Sequence, residues 1–325
     1  MKKDQKIWIS WENHRRTIEL ANALQIRLIV KKSRLIKGLS HIHLSLKTII
    51  HLFKCRPKLL IVQNPSIFLA FIGSLAKNFI GYKLCVDRHT NFREWKNIFD
   101  NPFYILHTWI SNYSIQKADL TIVTNNHLKT FIEKKGGHGF VLPDKIPIFK
   151  NLKKKSLNGK FNIVFICTYA RDEPYLSVID AAKILPKTTT IYITGRVPKH
   201  LYNIYLPQNI ILTDFLPDDK YAELLFSSDV IIDFTKLDWC LVCGGYEAVS
   251  LEKPFITSDT SALRELYKEN VIYCDHKPEN IARCIVMACE LLKFYEEKVI
   301  KYKKQYLVEW GEKFVELENK LNLLE

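Results

Sequence analysis

Glycine is scarce in this chain, 11 residues in 325, and the few present never fall into G-x-G-x-x-G or G-x-x-x-x-G-K-[ST]. A nicotinamide enzyme with the usual fingerprint and a P-loop nucleotidase therefore have no support. H-E-x-x-H is missing too, which removes the zincin reading, and no repeat at a solenoid period is visible. The eight cysteines sit mostly in apolar segments such as KLCVD and VFICTY, as reduced thiols acting as small hydrophobes do. Only Cys240 and Cys243 have C-x-x-C spacing, and without a second pair no zinc site is expected. The opening MKKDQKIWISWENHRR has no long apolar region before charge returns, so no secretory signal is expected. The longest uncharged run, 59–76, approaches membrane-span length, but Gln63-Asn64-Pro65-Ser66 divides it into a short strand and a helix.

Acidic residues are few in the first half. Residues 1–155 carry 28 Lys and Arg against 9 Asp and Glu, a balance of +19, whereas 156–325 carry 20 against 25, or −5. The net +14 thus comes from one half, which points to different partners for the two halves. The basic half suits nucleic acid, an anionic membrane surface or an anionic substrate. Nucleic acid ranks last, because the aromatics lie in strand-like and helical core patterns rather than interleaved with the cations.

A chain of 325 residues exceeds most single cores and suits two domains, and 47% hydrophobic residues is the composition of a packed globular protein. Runs rich in Ile, Val, Leu and Phe recur at 6–11, 27–30, 59–63, 83–87 and 119–124. After the lysine cluster NLKKKSLNGK the pattern restarts at 162–168, 190–195, 209–215, 229–234 and 254–259. Continuous rather than alternating apolar strands, with helical stretches between, predict parallel sheets covered on both faces. Two such series predict two α/β domains, 1–155 and 156–305, with a helical segment 306–325 folding back across the first.

In open α/β sheets, ligands bind beyond the carboxyl ends of the strands. Those positions here read ENHRR, NPS, RHTN, YARDEP, RVPK and TKLDWCLVCGG. The stretch DWCLVCGGYEAVSLEKPFITSD, 238–259, is the most specific. A helix starting near Gly245 points its free N–H groups and positive dipole end at a ligand, and Gly244 and Gly245 let a pyrophosphate come close. Glu247, in the first turn of such a helix, has two readings on residues alone. It is either a favourable first-turn acid, worth under about 1 kcal/mol, or a carboxylate for two ribose hydroxyls.

The series NIVFICTYARDEP, IYITGR, PQNIILTDFLPDDKYAELLFSSDVIIDF, GGYEAVSLEKPFITSD and ALREL resembles the donor half of GT-B glycosyltransferases. More narrowly, it is similar to the group containing glycosyltransferase family 4. EAVSLEKPFI stands for that group's E-A-apolar-apolar-x-G-K-P segment, and Asp214 stands where glycine is usual. VQNPSIFLAFIGSLAKNFIGYKLCVDRHTN is similar to a QNPP…D-W-H-N pattern of β-1,4-mannosyltransferases. WISWENHRRTIELANALQI resembles the opening of bacterial sugar transferases for surface polysaccharides. The resemblance spans most of the chain and is specific across roughly 160–265. It implies a GT-B fold, two Rossmann-like parallel-sheet domains facing a cleft, with the acceptor on 1–155 and a nucleoside-diphosphate sugar on 156–305.

The resemblance also implies roles. Glu247 is assigned to the donor ribose, and the Gly244 and Gly245 backbone to the diphosphate. Retaining members of family 4 carry an earlier glutamate where this chain has Trp239 beside Asp238, so inversion is favoured. Inversion needs positive charge for the departing diphosphate, for which Arg171 and Arg196 are the candidates. It also needs a base, for which Glu12, His14, Asp87 and His89 compete, with Asp87 preferred at its strand end. No metal or cofactor is expected; the nucleotide sugar is a co-substrate. Residues 31–58 combine many cations with a helical apolar stripe, which suits either a helix at an anionic membrane surface or one packed on its own sheet. The first alternative implies a lipid-linked glycan acceptor at the cytoplasmic face of the plasma membrane. An NDP-sugar epimerase of the same fold is the competing activity.

Overall fold

The computed structural model describes residues 5–64, 66–89 and 104–324. Pro65, Thr90 and Asn91, which belong to the strand-end loops NPS and RHTN, lie outside these. The chain divides into two compact units, Met1–Lys145 with Trp310–Glu325, and Ile146–Glu309. The lysine cluster 151–160 falls wholly in the second unit. Each unit encloses its own apolar core.

In the first unit, strands β1 (Lys6–Ser10), β2 (Arg27–Val30), β3 (Leu59–Gln63), β4 (Lys83–Asp87), β5 (Leu120–Val123) and β6 (Gly139–Val141) form one sheet. Between them run helices α1 (Arg15–Ala23), α2 (Lys37–Cys55), α3 (Ile67–Ile80), α4 (Tyr104–Lys117) and α5 (Asn126–Lys134). The strand order is β2-β1-β3-β4-β5-β6, and every pairing is parallel. Leu59 to Val62 are wholly buried, as two-sided cover requires. The winding reverses between β1 and β3, the switch point where open sheets hold ligands. Ile9 lies opposite Val62 and Gln63 opposite Asp87, so β1, β3 and β4 end level with one another.

In the second unit, β7 (Phe161–Ile166), α6 (Tyr175–Ile184), β8 (Thr189–Thr194), β9 (Ile210–Asp214), α7 (Asp218–Ser227) and β10 (Val230–Asp233) come first. They are followed by α8 (Cys243–Ser250), β11 (Phe255–Ser258), α9 (Ser261–Tyr267), β12 (Ile272–Cys274), α10 (Pro278–Glu290) and α11 (Leu292–Leu323). The parallel order is β12-β11-β10-β7-β8-β9, a Rossmann arrangement whose switch point lies between β7 and β10. From Trp310 onward α11 belongs to the first unit, where the Trp310 indole donates to the Pro143 carbonyl at 3.0 Å and Leu317 is fully buried. The uncharged run 59–76 is a strand followed by the start of a helix, and no helix among the described residues is long and apolar enough to cross a membrane.

Candidate functional site

Two groups of polar side chains gather at the carboxyl ends of the strands, one in each unit. In the second unit the helix expected near Gly245 starts two residues earlier, at Cys243. Glu247 therefore stands in the second turn, not the first, and the dipole explanation for it lapses. Its carboxylate is buried and accepts a 2.6 Å hydrogen bond from the Tyr221 hydroxyl of α7. Burial, reinforced by Glu247, pushes that phenol well above its ordinary pKa, so it stays a donor.

The two glycines have a packing role that their spacing did not reveal. The Gly244 N–H donates to Asp233 Oδ2 at 2.8 Å, so this donor is already used by the protein. A Cβ on Gly244 would meet Ile166 and the Asp233 carboxylate, and one on Gly245 would collide with the Tyr267 hydroxyl. Both glycines thus face packed side chains on the side where a Cβ would stand. Burial, offset in part by the Gly244 N–H and reinforced by Glu173 and Glu247, pushes Asp233 well above the usual carboxylate range.

The loop after β7 folds around Glu173. Its carboxylate accepts from the Thr168 and Ala170 N–H groups at 2.8 and 2.9 Å and from the Thr168 hydroxyl at 2.9 Å. Asp172 ties the same loop to the one after β10 by accepting from the Thr235 hydroxyl at 2.8 Å. These contacts leave Arg171 exposed, with no hydrogen-bond or ion-pair partner among the described residues. Arg196 is exposed and unpartnered in the same sense, one residue after Gly195. Gly195 has φ +92° and no room for a Cβ against the Cys167 carbonyl, so that turn requires glycine. Asp214 sits at φ +57°, which accounts for glycine being usual there; its carboxylate accepts from the Phe215 N–H at 2.8 Å and steadies the turn. Trp239 is buried, and Asp238 accepts from the Ser261 N–H at 2.8 Å and the Ser261 hydroxyl at 2.6 Å.

In the first unit the organising residue is Arg16, which lies in ENHRR but carries no sequence signal of its own. It is buried, and its guanidinium bonds Asp87 at 3.0 Å, Asp144 at 2.5 Å and the Leu142 carbonyl at 2.9 Å. Burial alone would raise the Asp87 pKa, but the charges of Arg16 and His89 outweigh it and bring it to about 2. His89 Nδ1 lies 3.6 Å from Asp87 Oδ2, just beyond hydrogen-bond reach. His14 stacks on His89 with ring centroids 4.4 Å apart, and burial and that neighbour hold its pKa below the ordinary value. Glu12 is exposed, its N–H taken by Ser10. Asp87, His14 and His89 are thus brought together, but Asp87 is a weakened base.

Several buried side-chain polar atoms without a hydrogen-bond partner among the described residues cluster at the carboxyl ends of β1, β3 and β4. Among them are His14 Nδ1, Gln63 Nε2, Asn64 Oδ1, Ser66 Oγ, Asp87 Oδ2 and His89 Nδ1. Each such atom costs about 1–3 kcal/mol, so a cluster of them marks a place for water or a hydroxyl-rich ligand. The signal for Gln63 and Asn64 was their position at the end of an apolar strand.

No protein-family model matches the chain, and no curated protein matches it in sequence. Solved structures do match. HepE of Anabaena in complex with UDP-glucose shares 14% identity at a TM-score of 0.69, over 97% of this chain and 90% of that one. Sucrose-phosphate synthase from Thermosynechococcus elongatus shares 12% identity at 0.77, over 98% and 99%. A UDP-N-acetylglucosamine 2-epimerase from Listeria monocytogenes, so described provisionally, shares 16% at 0.60, over 90% of each chain. At these identities the matches establish the fold, the two-unit α/β architecture of GT-B proteins.

Proposed function

We propose that this protein transfers a sugar from a nucleoside-diphosphate donor to a glycan or polyprenyl-diphosphate-linked acceptor in surface polysaccharide synthesis, with inversion and without a metal. One observation carries the reading. Glu247 is a buried carboxylate held by Tyr221 at the switch end of a Rossmann-ordered sheet, in a fold whose solved neighbours include one holding UDP-glucose. There it accepts hydrogen bonds from the donor ribose, with Tyr221 fixing its orientation. Arg171 and Arg196 supply positive charge for the departing diphosphate, a task for which unpartnered, exposed guanidinium groups at strand ends are suited. Inversion is supported by Trp239 at the position of the earlier glutamate and by the commitment of Asp238 to Ser261.

The acceptor is bound by the first unit. His89, rather than Asp87, is the better base, because the Arg16 ion pair leaves Asp87 with little affinity for a proton. The Asp87 carboxylate, 3.6 Å from His89 Nδ1, then stabilises the positive charge that the imidazole acquires. Replacing His89 by Ala is expected to lower kcat by about 100-fold or more while leaving the donor KM in place. An unchanged kcat would return the role to His14 or Asp87.

The donor class is tested by thermal stability with UDP, GDP, ADP and dTDP on wild type and Glu247→Ala. A ligand at about 100 times its Kd adds roughly 2.7 kcal/mol. One nucleotide should stabilise the wild type and lose its effect in the variant; no shift with any of the four overturns the donor site. The Listeria match keeps an NDP-sugar epimerase as the second reading. Product analysis without acceptor separates the two, since only an epimerase converts the donor sugar itself.

A further inference from the structure

Residues 20–86 contain no Asp or Glu and eleven Lys or Arg. Within this acid-free span lies α2, which is apolar on two opposite faces. Leu44 and Leu52 turn inward and are buried, with Thr48 between them accepting from the Trp11 indole. At 100° per residue the other face carries Leu39, Ile42, Leu46, Ile50 and Phe53 within one narrow stripe. Ile42 is 60% exposed and Ile50 66% exposed, so among the described residues this stripe has no cover. It continues onto neighbouring α3, where Phe79 is 78% exposed and an open apolar groove runs between Ile49, Phe53, Ile72 and Phe79.

Cations border the stripe. Lys47 and Lys54 lie along one side of it on α2, Arg56 caps the helix at its carboxyl end, and Lys32 lies in the segment that leads into it. All four are exposed, and none of their charged groups has a hydrogen-bond or ion-pair partner among the described residues. A solvent-facing helix in an ordinary packed protein is polar on that side, and large exposed apolar surface marks an interaction face. An apolar stripe edged by unpaired cations, in a span without carboxylates, is the chemistry of a helix lying in the headgroup boundary of an anionic bilayer. The apolar residues enter the acyl boundary and the lysines reach the phosphates.

We propose that the α2–α3 face of the first unit docks on anionic lipid bilayers. The inference stands independently of glycosyl transfer, since it uses none of the residues assigned to the donor or the base. It would also bring a lipid-linked acceptor and the unit that binds it onto one surface. A protein partner or a second copy of this chain are the competing occupants.

The purified chain would be sedimented with vesicles of neutral phosphatidylcholine and with vesicles doped with phosphatidylglycerol, with no nucleotide present. The wild type should pellet with the doped vesicles and partition at least about tenfold less onto neutral ones. Ile42→Ser with Leu46→Ser, and separately Lys47→Ser with Lys54→Ser, should each cut partitioning by about tenfold or more. All four positions are exposed, so melting midpoints should stay within a few degrees of wild type. Absence of vesicle binding, binding indifferent to anionic lipid, or binding that both pairs of substitutions leave intact overturns the proposal. So does a dimer seen by light scattering that the Ile42→Ser, Leu46→Ser variant dissolves while vesicle binding is absent.

Discussion

At the scale of single residues, Arg16 and Asp233 show how one sheet end is stabilised and another is kept under electrostatic load. Arg16 is buried among three oxygen partners, so Arg16→Ala leaves Asp87 buried and unpaired. A loss of about 3–5 kcal/mol is expected in denaturant unfolding. The Asp87 pKa of about 2 lies below its unfolded value near 3.8. A depressed carboxylate contributes stability that is complete above the unfolded value, so this contribution should disappear as pH falls from about 4 to about 2. His14 acts at a higher window. Its lowered pKa means that the unfolded chain takes up the proton first, so stability should begin to fall below about pH 6.5. A pH series of melts checks both steps, and the lower one should vanish in Asp87→Asn. Asp233 has the opposite sign. With its pKa raised, its charge opposes folding at neutral pH, and Asp233→Asn keeps an oxygen for the Gly244 N–H while removing that charge. Its melting midpoint should rise by a few degrees; a fall would mean that the carboxylate is needed for more than this bond. None of these partnerships was legible in the sequence. Arg16 and Asp87 are 71 positions apart and Gly244 and Asp233 are 11, and periodicity carries no information about which side chains meet across loops.

At the scale of elements, the ten apolar runs are all strands, with bounds shifted by a residue or two at most. Fully buried parallel strands need unbroken apolar sequence, and that makes them visible in the string of residues itself. Among the strands of the described residues, β6 and β12 were missed; each is three residues long and lies at a sheet edge, where half the pairing and much of the burial are gone. Helix starts were less legible, and α8 shows why. Its glycines read as an opening for a ligand, and the structure adds that the missing side chains let α8 press against β10 and Tyr267. Gly245→Ala should cost about 1–3 kcal/mol by overpacking, and Tyr267→Phe should recover part of that by removing the hydroxyl that the new methyl meets. A double-mutant cycle in thermal melts reads the coupling directly. On α2 the two apolar faces make a paired prediction. Leu52→Ala on the buried face should cost about 2–5 kcal/mol, whereas Ile50→Ala on the exposed face should stay within about 0.5 kcal/mol.

At the scale of the whole molecule, α11 carries the chain from the second unit into the first. Trp310 anchors it there, stacked on Phe314, under the Lys145 ammonium at 5.4 Å and bonded to the Pro143 carbonyl. Trp310→Ala should destabilise the first unit by about 3–5 kcal/mol, and calorimetry should show that loss in one transition while the other keeps its midpoint. Composition and pattern by themselves determined that this chain is α/β, that its strands are parallel and that it has two sheets, because continuous burial and hydrophobic period are local properties of the string. The charge imbalance was likewise countable. Tertiary structure alone decided what each polar residue is for. It gave two glycines a packing role that the sequence had not shown, took Asp87 out of the running as a strong base by placing Arg16 against it, and moved Glu247 beyond the helix dipole into the reach of Tyr221. The physical reason is that burial is encoded residue by residue, whereas the pairing of charges and hydrogen bonds depends on distances between segments that only the packed chain sets.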